Sequence, residues 1–174
     1  HVLASVFTVD RIAVQPEWRG QYAKHFDDVW APHFERFYTP VDDYLNYAAG
    51  GHGAVEKIFA VFLSHEERDA AWKAIEGIPC ESGDSAGENL ELTPKGVDKG
   101  KGLARLAKML GVAREDVAAA GDSCNDLPML AYAGAAVAMR NADPRLREKA
   151  KWIAPSNEEN GAAWVLNKMM EGAL

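Results

Sequence analysis

Apolar positions recur along this chain with two different periods. In the stretch Lys57-Ile58-Phe59-Ala60-Val61-Phe62-Leu63 they crowd together with β-branched and aromatic residues, which predicts a strand. Ser64 and Glu67 then form a capping-box pattern that opens a helix to about Glu76. Val2 to Val9 and Asp10 to Val14 read as two strands around a tight polar turn, a hairpin. Ile78–Cys80 and Asn89–Leu92 read as two further short strands joined by the polar turn 81–87. Between these, Trp18, Tyr22, Phe26, Trp30 and Phe34 recur every four residues and track one helix face, with Pro32 ending or bending the helix. Core packing is the default for such a stripe, and a sugar-stacking platform is the alternative.

From Thr93 onward the pattern changes. Leu103, Leu106, Ala107 and Leu110 make an i, i+3, i+4, i+7 stripe along a helix over 101–110, and Gly111 stands where a left-handed C-terminal residue belongs. Val117–Ala120 is alanine-rich, which favours helix by propensity, yet the glycine that follows argues for a strand. Leu127–Ala133, Pro144–Lys151 and Gly161–Met170 read as helices, and Ala135–Met139 and Trp152–Ala154 as short buried strands. Strand alternating with helix is the pattern of a parallel sheet with crossover helices. The fold class is therefore α/β throughout, in two parts of different character.

Composition narrows the function classes. A net charge of −7 and a pI near 5.2 do not suit a nucleic-acid groove, which needs clustered lysine and arginine, and supply no polybasic patch for a membrane surface. No apolar run is long enough to span a bilayer, and no secretion signal opens the chain. The two cysteines, Cys80 and Cys124, fall in different segments and form no disulfide framework, so a reducing, cytoplasmic setting is expected. His52 sits in a glycine loop without a second ligand at metal-binding spacing. The chain enters an apolar stretch directly after His1, from which we expect residues to precede it.

The chemistry concentrates in Val117-Ala118-Ala119-Ala120-Gly121-Asp122-Ser123-Cys124-Asn125-Asp126-Leu127-Pro128-Met129-Leu130. Open α/β sheets deliver ligand groups at the carboxyl ends of their strands, where a loop precedes the next helix. Asp122 and Asp126 would lie on such a loop, and two hard oxygen anions close together suit Mg²⁺. Taken alone, the stretch is equally an ordinary turn followed by an N-cap, with Pro128 in the tolerated first turn. Flanking segments change that balance: Pro94-Lys95-Gly96-Val97-Asp98-Lys99-Gly100 upstream, Ala138-Met139-Arg140-Asn141-Ala142 and Ser156-Asn157-Glu158-Glu159-Asn160-Gly161 downstream.

In this order and spacing, over about residues 91 to 170, the set resembles the C-terminal half of a Cof-type phosphatase of the haloacid dehalogenase superfamily. The resemblance implies a partial Rossmann-like parallel sheet in residues 91–174, half of that family's core, and an α/β cap domain for substrate selection in residues 1–90. It implies Asp122 as a Mg²⁺ ligand and Asp126 as a second ligand or the holder of its water. Lys99 matches the lysine that neutralises the nucleophile and the transferring phosphoryl group, for which a solvated lysine is the plainer reading. Asn125 resembles the asparagine that orients phosphate or that lysine. The substrate implied is a small phosphorylated metabolite, a sugar phosphate among them.

The sequence also departs from the family. The nucleophilic Asp-x-Asp is absent: Phe7-Thr8-Val9-Asp10-Arg11-Ile12 holds one carboxylate where two are needed. The serine or threonine that would bind phosphoryl oxygens belongs to the same absent half. Cys124 and Arg140 stand where such motifs carry small residues, and Arg140 reads as an extra charge near the site or as a surface charge. Two classes stay open: part of a Mg²⁺-dependent phosphatase whose nucleophile lies outside this sequence, or a non-catalytic α/β binding module derived from that fold. A core lacking half its strands is expected to form a homo-oligomer or to bind the absent N-terminal half.

Overall fold

The computed structural model describes residues 2–18, 32, 36–51, 53–84 and 88–174. The chain divides into two compact units, residues 1–95 and 96–174. The aromatic helix expected over 17–37 falls mostly outside the described residues; of it, Pro16–Trp18 forms a 3₁₀ turn in which the Trp18 indole donates to Gln15 Oε1.

The first unit is built on a six-stranded sheet: β1 (Val2–Phe7), β2 (Ile12–Val14), β3 (Tyr38–Pro40), β4 (Lys57–Phe62), β5 (Cys80–Gly83) and β6 (Asn89–Pro94), in the spatial order β3-β2-β1-β4-β6-β5. The hairpin forms as expected. Thr8 N–H donates to the Arg11 carbonyl at 3.0 Å, and β1 pairs antiparallel with β2 from Phe7↔Ile12 to Ser5↔Val14. Side chains alternate across a strand, so the two faces carry separate clusters. Leu3, Val14 and Val61 pack with Trp18, Tyr38 and Phe59. Val6, Ala13 and Tyr47 pack with Val41, Tyr44, Val55 and Ile58.

Helix α1 (His65–Ala74) follows β4 behind its Ser64 cap, whose hydroxyl accepts from Glu67 N–H at 3.2 Å. Two details differ from expectation. The strand placed at Ile78–Cys80 instead runs from Cys80 to Gly83, because Glu81 and Ser82, taken for turn residues, register against Thr93 and Leu92. β3 had no forecast at all: three residues ending in Pro40 carry too little pattern, and Pro is tolerated at such an edge. Since β6 extends to Pro94 in this sheet, the division between units falls after Lys95.

The second unit alternates helix and strand: α2 (Lys99–Leu110), β7 (Ala118–Gly121), α3 (Leu127–Tyr132), β8 (Ala135–Met139), α4 (Pro144–Lys149), β9 (Trp152–Ala154) and α5 (Gly161–Met170). The strands form a parallel sheet in the order β7-β8-β9, with Ala120↔Val137 and Ala138↔Ile153 in register. The alanines of β7 take up a strand against their propensity because β8 offers a full ladder, and tertiary pairing outweighs a few tenths of a kcal/mol per residue. β8 is buried at every position, as a central parallel strand should be. Val137, Leu146 and Ala154 are wholly buried in the core of this unit.

α2 sits differently from its predicted stripe. Gly100, Leu103 and Ala107 face inward, whereas Leu106 and Leu110 are 51% and 68% exposed. Small residues at 100 and 107 let the helix axis approach closely, so the larger leucines at 106 and 110 turn outward. Gly111 ends the helix with φ 68°, the left-handed geometry its position required. No described helix of either unit is long and apolar enough to cross a membrane.

Candidate functional site

Lys99 is the first residue of α2, and Asp98 is its N-cap, accepting from Lys101 N–H at 2.7 Å. The turn Cys124–Asp126 leads from β7 into α3. These two elements meet. The Lys99 ammonium donates to Asn125 Oδ1 at 2.9 Å and is ion-paired with Asp126 Oδ1. Three of the four site residues singled out in the sequence thus form one cluster, at the carboxyl end of a parallel strand.

The two carboxylates of the loop have different surroundings. Asp126 is 4% exposed, and its second oxygen, Oδ2, accepts from the backbone N–H groups of Asp122 at 3.0 Å and Ser123 at 3.2 Å. Both oxygens are therefore committed: one holds a cation, the other ties down the loop. Asp122 is exposed, and beyond a 3.5 Å contact from Ser123 Oγ its carboxylate has no described partner. Gly121 makes this arrangement possible, since a Cβ there would lie 2.5 Å from the Asp126 Cβ.

The loop after β8 packs against this one, and the loop after β9 packs against the β8 loop. Asp143 N–H donates to the Asp122 carbonyl at 2.8 Å, so the β7 and β8 loops share a backbone bond. The Asp143 carboxylate accepts from the Arg145 guanidinium at 3.0 and 2.9 Å and from Arg145 N–H at 2.8 Å. Arg145, with a smaller contribution from the Cys124 thiol, holds that carboxyl well below the usual carboxylate range. Arg140 is 61% exposed and forms a two-bond pair with Glu159 at 2.8 and 2.9 Å. Glu159 in turn accepts from Ser156 N–H and Oγ, which with Arg140 lower its pKa. Arg140 is thus a paired surface charge. Asn141 Oδ1 accepts from Asn157 N–H at 3.3 Å, joining the two downstream motifs.

Asp143 was missed in the sequence, although Asp-Pro ahead of a helical run is an N-cap signature. A pH experiment tests its role. Its pKa is lower folded than unfolded, so its contribution is present above the unfolded value of about 4 and is lost as pH falls below it. Asn also caps helices, so Asp143→Asn isolates the charge from the cap. The melting-temperature gap between wild type and Asp143→Asn should be open at pH 7 and close progressively below about pH 4. A gap independent of pH would show that the Arg145 pairing contributes nothing.

As for a metal, no group of three or more His, Cys, Asp or Glu among the described residues could hold an ion. The donor set still fits Mg²⁺, which takes one or two carboxylates and completes its shell with water and substrate phosphate. Asp122 offers the open hard oxygen.

Comparison with known proteins identifies the family. Residues 5–166 match the family model of haloacid dehalogenase-like hydrolases. A stress response protein, YhaX, of Bacillus subtilis is 46% identical over 81 residues, covering 47% of this chain and 28% of that protein. The 5-amino-6-(5-phospho-D-ribitylamino)uracil phosphatase YwtE of the same organism is 39% identical over 89 residues, covering 51% of this chain and 31% of that one. The solved structure of a haloacid dehalogenase-like hydrolase from B. subtilis superposes with a TM-score of 0.81 at 26% identity, covering 99% of this chain and 66% of its own. The chain thus matches less than two thirds of the length of each.

Proposed function

Because the chain belongs to the haloacid dehalogenase-like hydrolases, we propose that it supplies the substrate cap, residues 1–95, and half the catalytic core, residues 96–174, of a Mg²⁺-dependent phosphatase. The substrate in this reading is a small phosphorylated metabolite of the sugar or sugar-alcohol phosphate class, the class to which the phosphoribityl substrate named for YwtE belongs.

One observation carries the proposal: a lysine ammonium fixed by Asn125 and Asp126 beside an exposed, unclaimed Asp122 carboxylate. Phosphoryl transfer asks the protein for positioning and for cations where negative charge gathers. Lys99 supplies a point charge with three donors, two of them used by Asn125 and Asp126, which leaves one to meet a phosphoryl oxygen. Asn125, a neutral group, orients the ammonium without adding a repelling anion. Asp126 holds Lys99 and the loop rather than the metal. Asp122 binds Mg²⁺, which neutralises phosphate charge when present. The aspartate nucleophile that the family resemblance implies has no counterpart in residues 1–174, so in this reading it belongs to sequence outside them.

The test compares the chain with a longer polypeptide from the same reading frame, on a panel of phosphate esters with Mg²⁺. The longer protein should hydrolyse sugar phosphates, Lys99→Ala should lower its kcat by about 10²–10³-fold, and residues 1–174 alone should show no turnover. Steady hydrolysis by residues 1–174, abolished in Lys99→Ala, would reveal a nucleophile inside them. Phosphate binding without hydrolysis by the longer protein would favour a binding module.

A further inference from the structure

We propose that Gly100 is a positioning residue that seats Lys99 in the phosphate site; this deepens the reading of Lys99 as the phosphate-facing cation and rests on it. Gly100 is buried where the first turn of α2 meets the start of α3. A Cβ built on it would stand 2.6 Å from the Pro128 carbonyl carbon and 2.9 Å from the Pro128 Cβ. Real Cβ atoms essentially never come within 3.0 Å of such neighbours. What blocks the space is backbone and a rigid ring, neither of which can swing aside.

The contact lies next to the chemistry on both chains. Gly100 follows Lys99 directly, and Pro128 is two residues beyond Asp126. The separation of α2 from α3 at this point therefore sets how far the Lys99 backbone stands from Asn125 and Asp126. One added methyl would push the helices apart by roughly 1 Å to reach ordinary carbon contact. A shift of that size is enough to spoil the alignment of a charged donor with its acceptors and with a bound phosphate.

Two other glycines of the same unit separate positioning from simple packing. Gly102 lies in the same helix, and a Cβ there would meet nothing within 4 Å. Gly134 is as crowded as Gly100, with its Cβ position 2.7 Å from the Glu115 carbonyl carbon, but it serves the turn between α3 and β8 and what crowds it is the Glu115 backbone. If Gly100 only fills a tight contact, it and Gly134 should behave alike.

The experiment uses the chain itself, with Gly100→Ala, Gly102→Ala and Gly134→Ala. Crystal structures give the distance from Lys99 Nζ to Asn125 Oδ1, now 2.9 Å, and calorimetric titration with inorganic phosphate in the presence of Mg²⁺ gives affinity. Gly100→Ala should break that hydrogen bond and weaken phosphate binding by about tenfold, the worth of a charge-assisted bond. Gly134→Ala should lower the melting temperature without changing affinity, and Gly102→Ala should change neither for the worse. An intact Lys99–Asn125 bond in Gly100→Ala, or an equal loss of affinity in Gly134→Ala, overturns the proposal. If the wild-type chain binds no phosphate, the phosphatase reading loses its support while the Lys99–Asn125 distance still decides the role of Gly100. Should Gly100→Ala resist purification, Pro128→Gly tests the contact from the other side: it deletes the ring and the Cβ that Gly100 faces, loosens the seat of α2 on α3, and should weaken phosphate binding; unchanged affinity with an unbroken Lys99–Asn125 bond overturns the proposal equally.

Discussion

Asp126→Asn should destabilise the second unit by about 2–3 kcal/mol, and Asp122→Asn by less than about 0.5 kcal/mol, although both remove one carboxylate from the same loop. Asp126 is buried and uses both oxygens, Oδ1 on the Lys99 ammonium and Oδ2 on two backbone N–H groups. An asparagine has one oxygen. Turned one way it presents its amide protons to the ammonium; turned the other, it presents them to two backbone donors. A buried donor is left facing a donor in either case, which costs about 1–3 kcal/mol, with a further loss from the ion pair. That second part is small because Lys99 is half exposed and the pair is screened on one side.

Asp122 reverses the pattern. Its carboxylate is exposed and makes only a long contact with Ser123 Oγ, which an amide oxygen can also accept, so Asp122→Asn should fold as well as the wild type. What it should lose is Mg²⁺, whose binding to this chain should be weak in any case because such a site borrows ligands from the substrate. Urea unfolding gives the stabilities, and Mg²⁺ titration in the presence of inorganic phosphate gives the metal affinity. A stable Asp126→Asn that no longer binds Mg²⁺, paired with an Asp122→Asn that still does, would exchange the two roles and undo the assignment.

That division of labour could not be read from the sequence, and the reason is physical. Spacing places Asp122 and Asp126 on one loop, and the flanking motifs raise that loop above an ordinary capped turn. Which carboxylate faces solvent depends on how the turn Cys124–Asp126 folds back over Gly121, a tertiary fact. The Lys99–Asn125 contact was legible only as family resemblance, since those residues stand 26 positions apart. Strands and helices with clear periodicity, β4, α1 and β8 among them, were legible directly. β3 and β5 were not, because short edge strands carry polar and turn-forming residues whose pattern comes from the neighbouring strand rather than from burial. The outward turn of Leu106 and Leu110 escaped the stripe rule for another reason: that rule finds an apolar face but not what covers it.

Those outward leucines bear on the largest effect we expect, the association of the chain in solution. β7 pairs with β8 on one side, and among the described residues no strand pairs with its other edge. Parallel sheets are normally interior structures covered on both faces, and here β7 also stands at the sheet's open edge. Its free N–H and C=O groups are a template for another strand. Apolar side chains are exposed on the helices of the same unit: Met109 at 74% and Leu110 at 68% on α2, Leu166 at 61% and Met170 at 86% on α5. Burying each such side chain would contribute about 1.5–3 kcal/mol, so covering even a few offsets much of the entropy lost when two molecules join. Light scattering at micromolar concentration should therefore find a species heavier than the 19.0 kDa chain. Met109→Glu combined with Leu110→Lys should shift that species toward monomer, because a charge on each helix position makes burial unfavourable. A compact, cooperatively unfolding wild-type monomer under the same conditions would sink the expectation, and would mean that the β7 edge and the α2 face are already satisfied by another part of this chain.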